Sequence, residues 1–170
     1  MKRKYEEEAT MSDKTYIKDY RQIFSIRGVD ICVTAPAKFD VATDELLYDK
    51  GLDDSAIEKA NDVYRDIKGY LSPSLIREMR ERIGISQRDF ATLMGWSQTT
   101  IVMYEGGSLP TNNNNNQLKI FYDNPLEMEQ YYLNVQASFS QKTRDKIESY
   151  LKGLKGLASE NVVTAEEGNC

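Results

Sequence analysis

The sequence predicts an α+β protein, mainly α, in which a small β-hairpin-plus-helix unit precedes an all-α domain with further C-terminal helices. Two observations carry this prediction. Tyr20, Phe24 and Ile26 lie on alternate positions and an apolar, β-branched run follows at residues 31–34, as in strands, and apolar residues then recur at helical spacing from Ile57 onward. Four short apolar-periodic segments between residues 72 and 123 each have their own start and stop signals, which is typical of packed short helices.

Composition excludes several classes of function. The 170 residues carry 22 Lys and Arg against 27 Asp and Glu and contain no histidine. Histidine acid–base catalysis and histidine-ligated metal sites are therefore excluded, and the two cysteines, Cys32 and Cys170, cannot supply a four-cysteine zinc site. Phosphate-binding loops and nucleophile elbows are absent from the sequence as well. We expect no enzyme activity, no cofactor and no metal.

Cysteine usage and hydropathy predict the compartment. Two cysteines make no disulfide framework and indicate a reducing cytoplasm, and we expect Cys32 to be a small buried hydrophobe. Residues 1–15 are polar, lack the apolar stretch of a secretory signal and are expected to be disordered. No run approaches the ~20 apolar residues of a membrane helix, so no membrane partner is expected.

Residues 16–69 are predicted to form one unit. A hairpin is expected, with its turn at residues 27–30. Pro36 either ends the second strand or places that strand at an edge of the sheet. Residues 46–48 are expected to add a short third strand. Asp53 or Asp54 is expected to cap the helix that follows. Because an isolated hairpin is marginal, the hairpin must pack on this helix, and we expect the unit to bind a protein partner.

Residues 70–125 are predicted to form an all-α domain. Ser72, Ser86 and Ser97 each precede an apolar-periodic segment and are expected to cap three helices. A fourth helix follows the asparagine run at 112–116. Two more helices within 126–157 are a possible dimerisation segment, and residues 158–170 are predicted to be a flexible acidic tail.

The segment 85–107 has the organisation of a helix-turn-helix: eight helical residues, a turn at Gly95 and a second capped helix. Ala91 is small enough for the helices to cross closely, and Gly95 can adopt a positive φ. Ile101 and Val102 are predicted to face inward. The outward-facing residues are then Gln98, Thr99, Thr100 and Met103.

Uncharged amides and hydroxyls at a helix N-terminus suit base edges and phosphates. The asparagine run is interpreted either as a low-complexity loop or as a phosphate contact. The candidate DNA-binding residues are Gln87, Arg88, Ser97, Gln98, Thr99, Thr100, Met103, Asn112, Asn113 and Asn114. Residues 71–122 carry only five basic against four acidic residues, so one copy should bind weakly and a homodimer on a two-fold site is expected.

The residues of this motif also carry a family resemblance. Ser-Gln-Arg-Asp-Phe-Ala at 86–91, Gly-Trp-Ser-Gln-Thr-Thr-Ile at 95–101 and Tyr-Glu-Gly-Gly at 104–107 resemble the Xre/Cro-type helix-turn-helix. With the preceding unit, the chain resembles the MqsA-type antitoxins and the related antitoxins encoded with, or fused to, Panacea domains. The resemblance implies a C-terminal unit that dimerises and binds operator DNA, and an N-terminal unit that binds zinc and a toxin.

Two departures limit this resemblance. Residues 37–43 lack the expected zinc cysteines, so the resemblance does not imply zinc binding by this chain. Our hypothesis is that the hydrophobic hairpin organises the core of the unit in place of the metal. Met103 stands where a basic residue is common, so the base sequence recognised must differ.

The sequence thus favours a bacterial, cytoplasmic, nucleoid-associated repressor that binds double-stranded operator DNA as a homodimer and acts as the antitoxin of a toxin-antitoxin pair. Two alternatives remain open. One is a regulator of a phage or mobile element without a toxin partner. The other is a protein-interaction module, a helical packing unit that kept the helix-turn-helix fold without DNA affinity.

Overall fold

A computed structural model describes residues 14–166, with side chains through residue 157. The chain passes from one compact unit to a second between Tyr64 and Arg65, five residues before the predicted boundary between residues 69 and 70. The predicted fold class is confirmed: within the described residues, a three-stranded antiparallel sheet precedes seven α-helices. None of the described helices combines the length and apolar character needed to cross a membrane.

The first unit contains a long hairpin. Strand β1 (Thr15–Ile26) pairs antiparallel with β2 (Val29–Asp40) along their whole lengths, and β3 (Leu46–Leu47) pairs with the far end of β2. The hairpin turn consists of Arg27 and Gly28, both with positive φ, a geometry that matches the right-handed twist of paired strands. The predicted hairpin is therefore present, with longer strands than the apolar alternation indicated.

Pro36 does not end the second strand, because β2 continues through it to Asp40. Pro36 lies opposite Asp19, and counting from the two-residue turn makes this a non-hydrogen-bonded pair. The proline nitrogen therefore faces away from β1, towards the side where β3 pairs only with Lys38 and Phe39. The missing N–H costs no ladder hydrogen bond, which agrees with the alternative that Pro36 lies at an edge.

The sheet has one covered and one open face. The buried residues of β2 are Ile31, Val33, Ala35, Ala37 and Phe39. Helix α1 (Lys50–Lys68) buries Ala56, Ala60 and Tyr64, and Lys59 Nζ donates to the Thr34 carbonyl at 2.6 Å. This hydrogen bond joins α1 to β2.

Two expectations for this unit are wrong. Cys32 is exposed, because strand alternation places it on the open face, where Arg21 Nε donates to its Sγ at 2.8 Å. The cap of α1 is Asp49, whose Oδ1 accepts the Leu52 N–H at 3.3 Å; the carboxylate of Asp53 accepts the Asp49 N–H instead.

The second unit is all-α. Its helices are α2 (Pro73–Ile83), α3 (Gln87–Met94), α4 (Gln98–Glu105), α5 (Asn112–Asp123), α6 (Met128–Val135) and α7 (Gln141–Glu166). They enclose a core whose fully buried side chains include Phe90, Ile101, Leu118, Phe121 and Ile147.

The C-terminal helix is longer than predicted. Helix α7 continues past Leu157 to Glu166, so the start of the predicted flexible tail is helical. Residues 1–13 and 167–170 lie outside the described residues, and with them most of the segment expected to be disordered and Cys170.

Candidate nucleic-acid interface

Helices α3 and α4 form the predicted helix-turn-helix. Gly95 ends α3 in the left-handed conformation with a φ of 73°, and Trp96 N–H donates back to the Ala91 carbonyl at 2.8 Å. Ala91 is buried, and Trp96 packs edge-to-face on Tyr104 with ring centroids 5.8 Å apart. These contacts set the sharp turn between the two helices.

Three serines cap the helices as predicted. The hydroxyls of Ser72, Ser86 and Ser97 accept the N–H of Leu75, Asp89 and Thr100 at 3.1 to 3.2 Å. At Ser97 the cap has a second part, since its hydroxyl lies 2.9 Å from that of Thr100. The hydroxyls of Ser97 and Thr100 are therefore engaged in capping α4.

The inward face of α4 differs from the prediction. Ile101, Tyr104 and Glu105 are buried, whereas Val102 is 45% exposed. Positions 101, 104 and 105 follow the three- and four-residue spacing of one helix face, and Val102 lies about 100° away from Ile101 around the axis. The apolar character of Val102 suggested burial, but helix geometry places it outside.

The outward face of α4 is one continuous row of four side chains. Gln98, Thr99 and Met103 are exposed as predicted, and Val102 joins them. Residues 98 and 102, and residues 99 and 103, are four positions apart and lie one above the other. The row therefore combines an amide, a hydroxyl and two apolar groups.

Glu105 is a buried carboxylate that the sequence pattern did not predict. It is 4% exposed, and Arg80 from α2 binds it through Nε to Oε1 at 2.6 Å and Nη2 to Oε2 at 3.0 Å. Gln87 Nε2 from α3 donates to Oε2 at 2.9 Å, and Arg77 Nη2 donates to the Glu105 carbonyl at 3.2 Å. The carboxylate therefore joins α2, α3 and α4.

The surroundings of Glu105 determine its charge state. Burial alone would raise its pKa, but hydrogen bonds from Arg80 and Gln87, with the positive charges of Arg80 and Arg77, outweigh burial and lower the pKa. Glu105 is thus an anion that belongs to the helical scaffold. The signal available in the sequence was its position, four residues after Ile101 on the inward face of α4.

Two candidate phosphate contacts at the start of α3 differ in their surroundings. Gln87 is half-buried and commits one amide hydrogen to Glu105, which leaves its second hydrogen and its oxygen. Arg88 is exposed on the first turn of α3. The Arg88 side chain is therefore more accessible to a phosphate than the Gln87 side chain.

The asparagine run is helical, so its interpretation as a loop is wrong: it forms the first turns of α5, capped by Thr111. Asn112 accepts a hydrogen bond from the Tyr70 hydroxyl, and Asn114 Nδ2 donates to the Tyr104 hydroxyl at 2.9 Å. The buried Asn115 accepts the Leu71 N–H at 3.1 Å. Asn113 is exposed. Much of the run therefore holds α5 in place.

The described side chains include no cluster of three or more histidine, cysteine, aspartate or glutamate residues that could hold a metal ion.

Comparison with known families identifies the domain. Residues 76–114 match the family model described as helix-turn-helix, of the Xre type, which covers α3, α4, most of α2 and the start of α5. This family is a DNA-binding regulator domain and not an enzyme family. A comparison with curated proteins finds no match.

Proposed function

We propose that this protein is a sequence-specific transcriptional repressor that binds double-stranded operator DNA as a homodimer, with α4 in the major groove. One observation carries the proposal: the row Gln98, Thr99, Val102 and Met103 is exposed on a helix whose opposite face is buried and anchored through Glu105. Direct base readout requires a rigid helix with one exposed row of side chains that can reach base edges.

The chemistry of the row favours A·T base pairs. A glutamine amide can donate to N7 and accept from N6 of adenine, and apolar groups pack against the thymine methyl. Val102 and Met103 supply such groups beside Gln98 and Thr99. We therefore expect A·T pairs at the positions that α4 contacts in each half-site.

Phosphate contacts come from the flanks of the row. Arg88 is the exposed cation at the start of α3, and Asn113 is the freely exposed amide at the start of α5. Gln87, Ser97, Thr100, Asn112 and Asn114 already make hydrogen bonds within the protein, so they contribute only the donors and acceptors that remain. Because the domain has few cations, one copy should bind DNA weakly. A homodimer that contacts both half-sites of a two-fold operator would bind DNA more tightly.

The segment 126–157 remains the candidate dimer surface of the second unit. Tyr131, Leu133 and Leu157 are exposed apolar residues within it. A dimer would place two copies of α4 about one helical turn of DNA, or a multiple of it, apart.

Selection of bound sequences from a random duplex pool tests DNA recognition. Enrichment of a two-fold symmetric, A·T-containing site is expected, and Gln98→Ala should change the enriched bases. Glu58→Ala, which shortens an exposed side chain on α1, is the control and should enrich the wild-type site. Enrichment of the same site by Gln98→Ala would exclude α4 as the reading element, and no enrichment at all would favour the interaction-module alternative.

The unit over residues 16–69 supports a second part of the proposal, that the repressor is an antitoxin acting at the bacterial nucleoid and autoregulating its own operon. The order of its elements resembles that of toxin-binding units, and it carries exposed apolar side chains at Tyr48 and Ile57. Coexpression with the product of the adjacent reading frame tests this. The pair should copurify, and the chain should relieve growth arrest by that product. A neighbour that is neither toxic nor bound would favour the regulator without a toxin partner.

A further inference from the structure

Strand β1 is an outer strand with an open edge. It lies at one end of the order β1-β2-β3, and no strand within residues 14–166 pairs with its outer side. It is 12 residues long, and its open-face side chains include Ile17 and Ile23, which are 62% and 70% exposed. A long edge strand with exposed apolar side chains is a template for pairing with another strand.

The hairpin determines which backbone groups remain free on that edge. The pair Ile26–Val29 next to the two-residue turn is hydrogen-bonded, so the bonded pairs along β1 fall at even-numbered residues. The N–H and C=O groups of the odd-numbered residues, from Thr15 to Ser25, point outward. An added antiparallel strand must therefore form its hydrogen-bonded pairs at these odd-numbered residues.

The side chains at the odd-numbered positions are complementary to the same series of side chains on a second, antiparallel copy of β1. From one end to the other they read Thr15, Ile17, Asp19, Arg21, Ile23 and Ser25. If a second copy of β1 pairs antiparallel about a two-fold axis at Tyr20, Asp19 of each copy lies opposite Arg21 of the other. Ile17 then lies opposite Ile23, and Thr15 lies opposite Ser25.

Neighbouring registers lack this complementarity. Registers centred on Asp19 or on Arg21 would also form their hydrogen-bonded pairs at odd-numbered residues. The first register places Asp19 opposite Asp19 of the other copy, and the second places Arg21 opposite Arg21. Like charges directly opposite are destabilising, whereas opposite charges and apolar pairs stabilise a ladder. On the covered face, the register centred on Tyr20 also brings Tyr16 opposite Phe24.

We propose that two copies of this chain associate through the outer edges of β1, antiparallel and in register about Tyr20, to form one continuous six-stranded sheet. The occupant of the edge is a second copy because the charge pattern complements itself. The proposal goes beyond the proposed function by assigning a self-association surface in the first unit, and it does not require DNA binding.

Charge reversal in the full-length chain tests the proposal without DNA. Sedimentation over a dilution series measures the dissociation constant of self-association. Asp19→Arg and Arg21→Asp should each raise it about tenfold or more, since each creates two like-charge pairs per dimer. The double variant Asp19→Arg/Arg21→Asp restores opposite charges and should return the constant to near the wild-type value.

The matched control is Asp30→Arg, which reverses an exposed charge on the same open face but on the inner strand β2. It should leave the dissociation constant unchanged, and far-UV circular dichroism should show all variants folded. Single reversals without effect, or a double variant as weak as the single ones, would overturn the proposal and indicate that the charges keep the edge monomeric.

Cysteine crosslinking tests the register of the two β1 strands. It does not use the charge variants, so it remains decisive if one of them folds poorly. In a Cys32→Ser/Cys170→Ser background, Tyr20→Cys should form an intermolecular disulfide. Position 20 faces itself in a non-hydrogen-bonded pair, where Cα atoms lie ~4.5 Å apart. Ser25→Cys faces Thr15 of the other copy and should not crosslink. A disulfide at position 25, or none at position 20, would overturn the register.

Discussion

Arg80 holds the carboxylate of Glu105 in a bidentate ion pair beneath the helix that we propose reads DNA. The two hydrogen bonds measure 2.6 and 3.0 Å, and the side chains of Glu105 and Arg80 are 1% and 14% exposed. Arg80 lies on α2 and Glu105 ends α4, so the pair orients α4 against the domain. The candidate site therefore depends on a residue pair that touches no DNA in the proposed complex.

Removal of one partner should destabilise the domain strongly. Arg80→Ala leaves the Glu105 carboxylate buried and unpaired, and the loss in unfolding free energy should be about 3–5 kcal/mol. Urea denaturation followed by tryptophan fluorescence measures it through Trp96, which packs on α4. Arg82→Ala, which breaks the exposed pair with Glu78, should cost no more than ~1 kcal/mol. Equal losses in both variants would contradict this role of Arg80.

Glu105 should make stability depend on pH in the acid range. Its pKa is lowered in the folded state, so its stabilising contribution is present above the ordinary glutamate pKa of about 4.3 and is lost as pH falls through the lowered value. Glu105→Gln should be less stable at neutral pH, and its stability should fall less on acidification. Urea midpoints between pH 7 and pH 3 measure the difference, and parallel curves for the two proteins would contradict it.

Adjacent residues on α4 should separate folding from DNA binding. Ile101 is fully buried, so Ile101→Ala should cost about 2–5 kcal/mol of stability. Val102→Ala should leave stability within ~0.5 kcal/mol of the wild type. It should, however, weaken discrimination for thymine at one position of the selected site. Thermal melts and binding to single-base variants of the site measure both effects, and a strongly destabilised Val102→Ala would contradict the placement of Val102.

Arg88 should contribute affinity without sequence preference. Arg88→Ala is expected to weaken binding to all duplexes alike and to reduce the slope of log affinity against log salt by about 0.9, the value for one phosphate contact. Lys50→Ala, which removes an exposed cation at the start of α1, is the control and should leave the slope unchanged. An altered base preference in Arg88→Ala would assign this residue to base readout instead.

The purified protein should contain no stoichiometric zinc, because 170 residues without histidine and with two cysteines offer no ordinary zinc ligand set. A chelator should leave the melting temperature unchanged. Elemental analysis that returns one zinc per chain would contradict the expectation.

Local features could be predicted because they depend on neighbours along the chain. The serine caps of α2, α3 and α4 bond a backbone N–H three residues ahead, and the turn at Gly95 needs only a residue that tolerates positive φ. The helix-turn-helix and the exposure of Gln98, Thr99 and Met103 followed from these signals.

The same short-range signals could not predict which side chains face the core and which face outward. Val102 and Cys32 are apolar residues in apolar runs, and each is exposed because helix rotation or strand alternation turns it away from the buried face. Glu105 and Asn115 are polar residues that are buried, because Arg80 and the Leu71 backbone supply their hydrogen bonds. Sequence polarity does not reveal such partners.

The fold class, the helix-turn-helix and the polar start of α4 follow from the sequence, because capping, turn conformation and apolar spacing are short-range properties of the chain. Three other features follow only from tertiary contacts: Glu105 anchors α4, Val102 completes the outward row of α4, and β1 has an open outer edge. These depend on which distant residues come together: burial of a charge requires a partner from another helix, and an edge exists only once the order of strands is set.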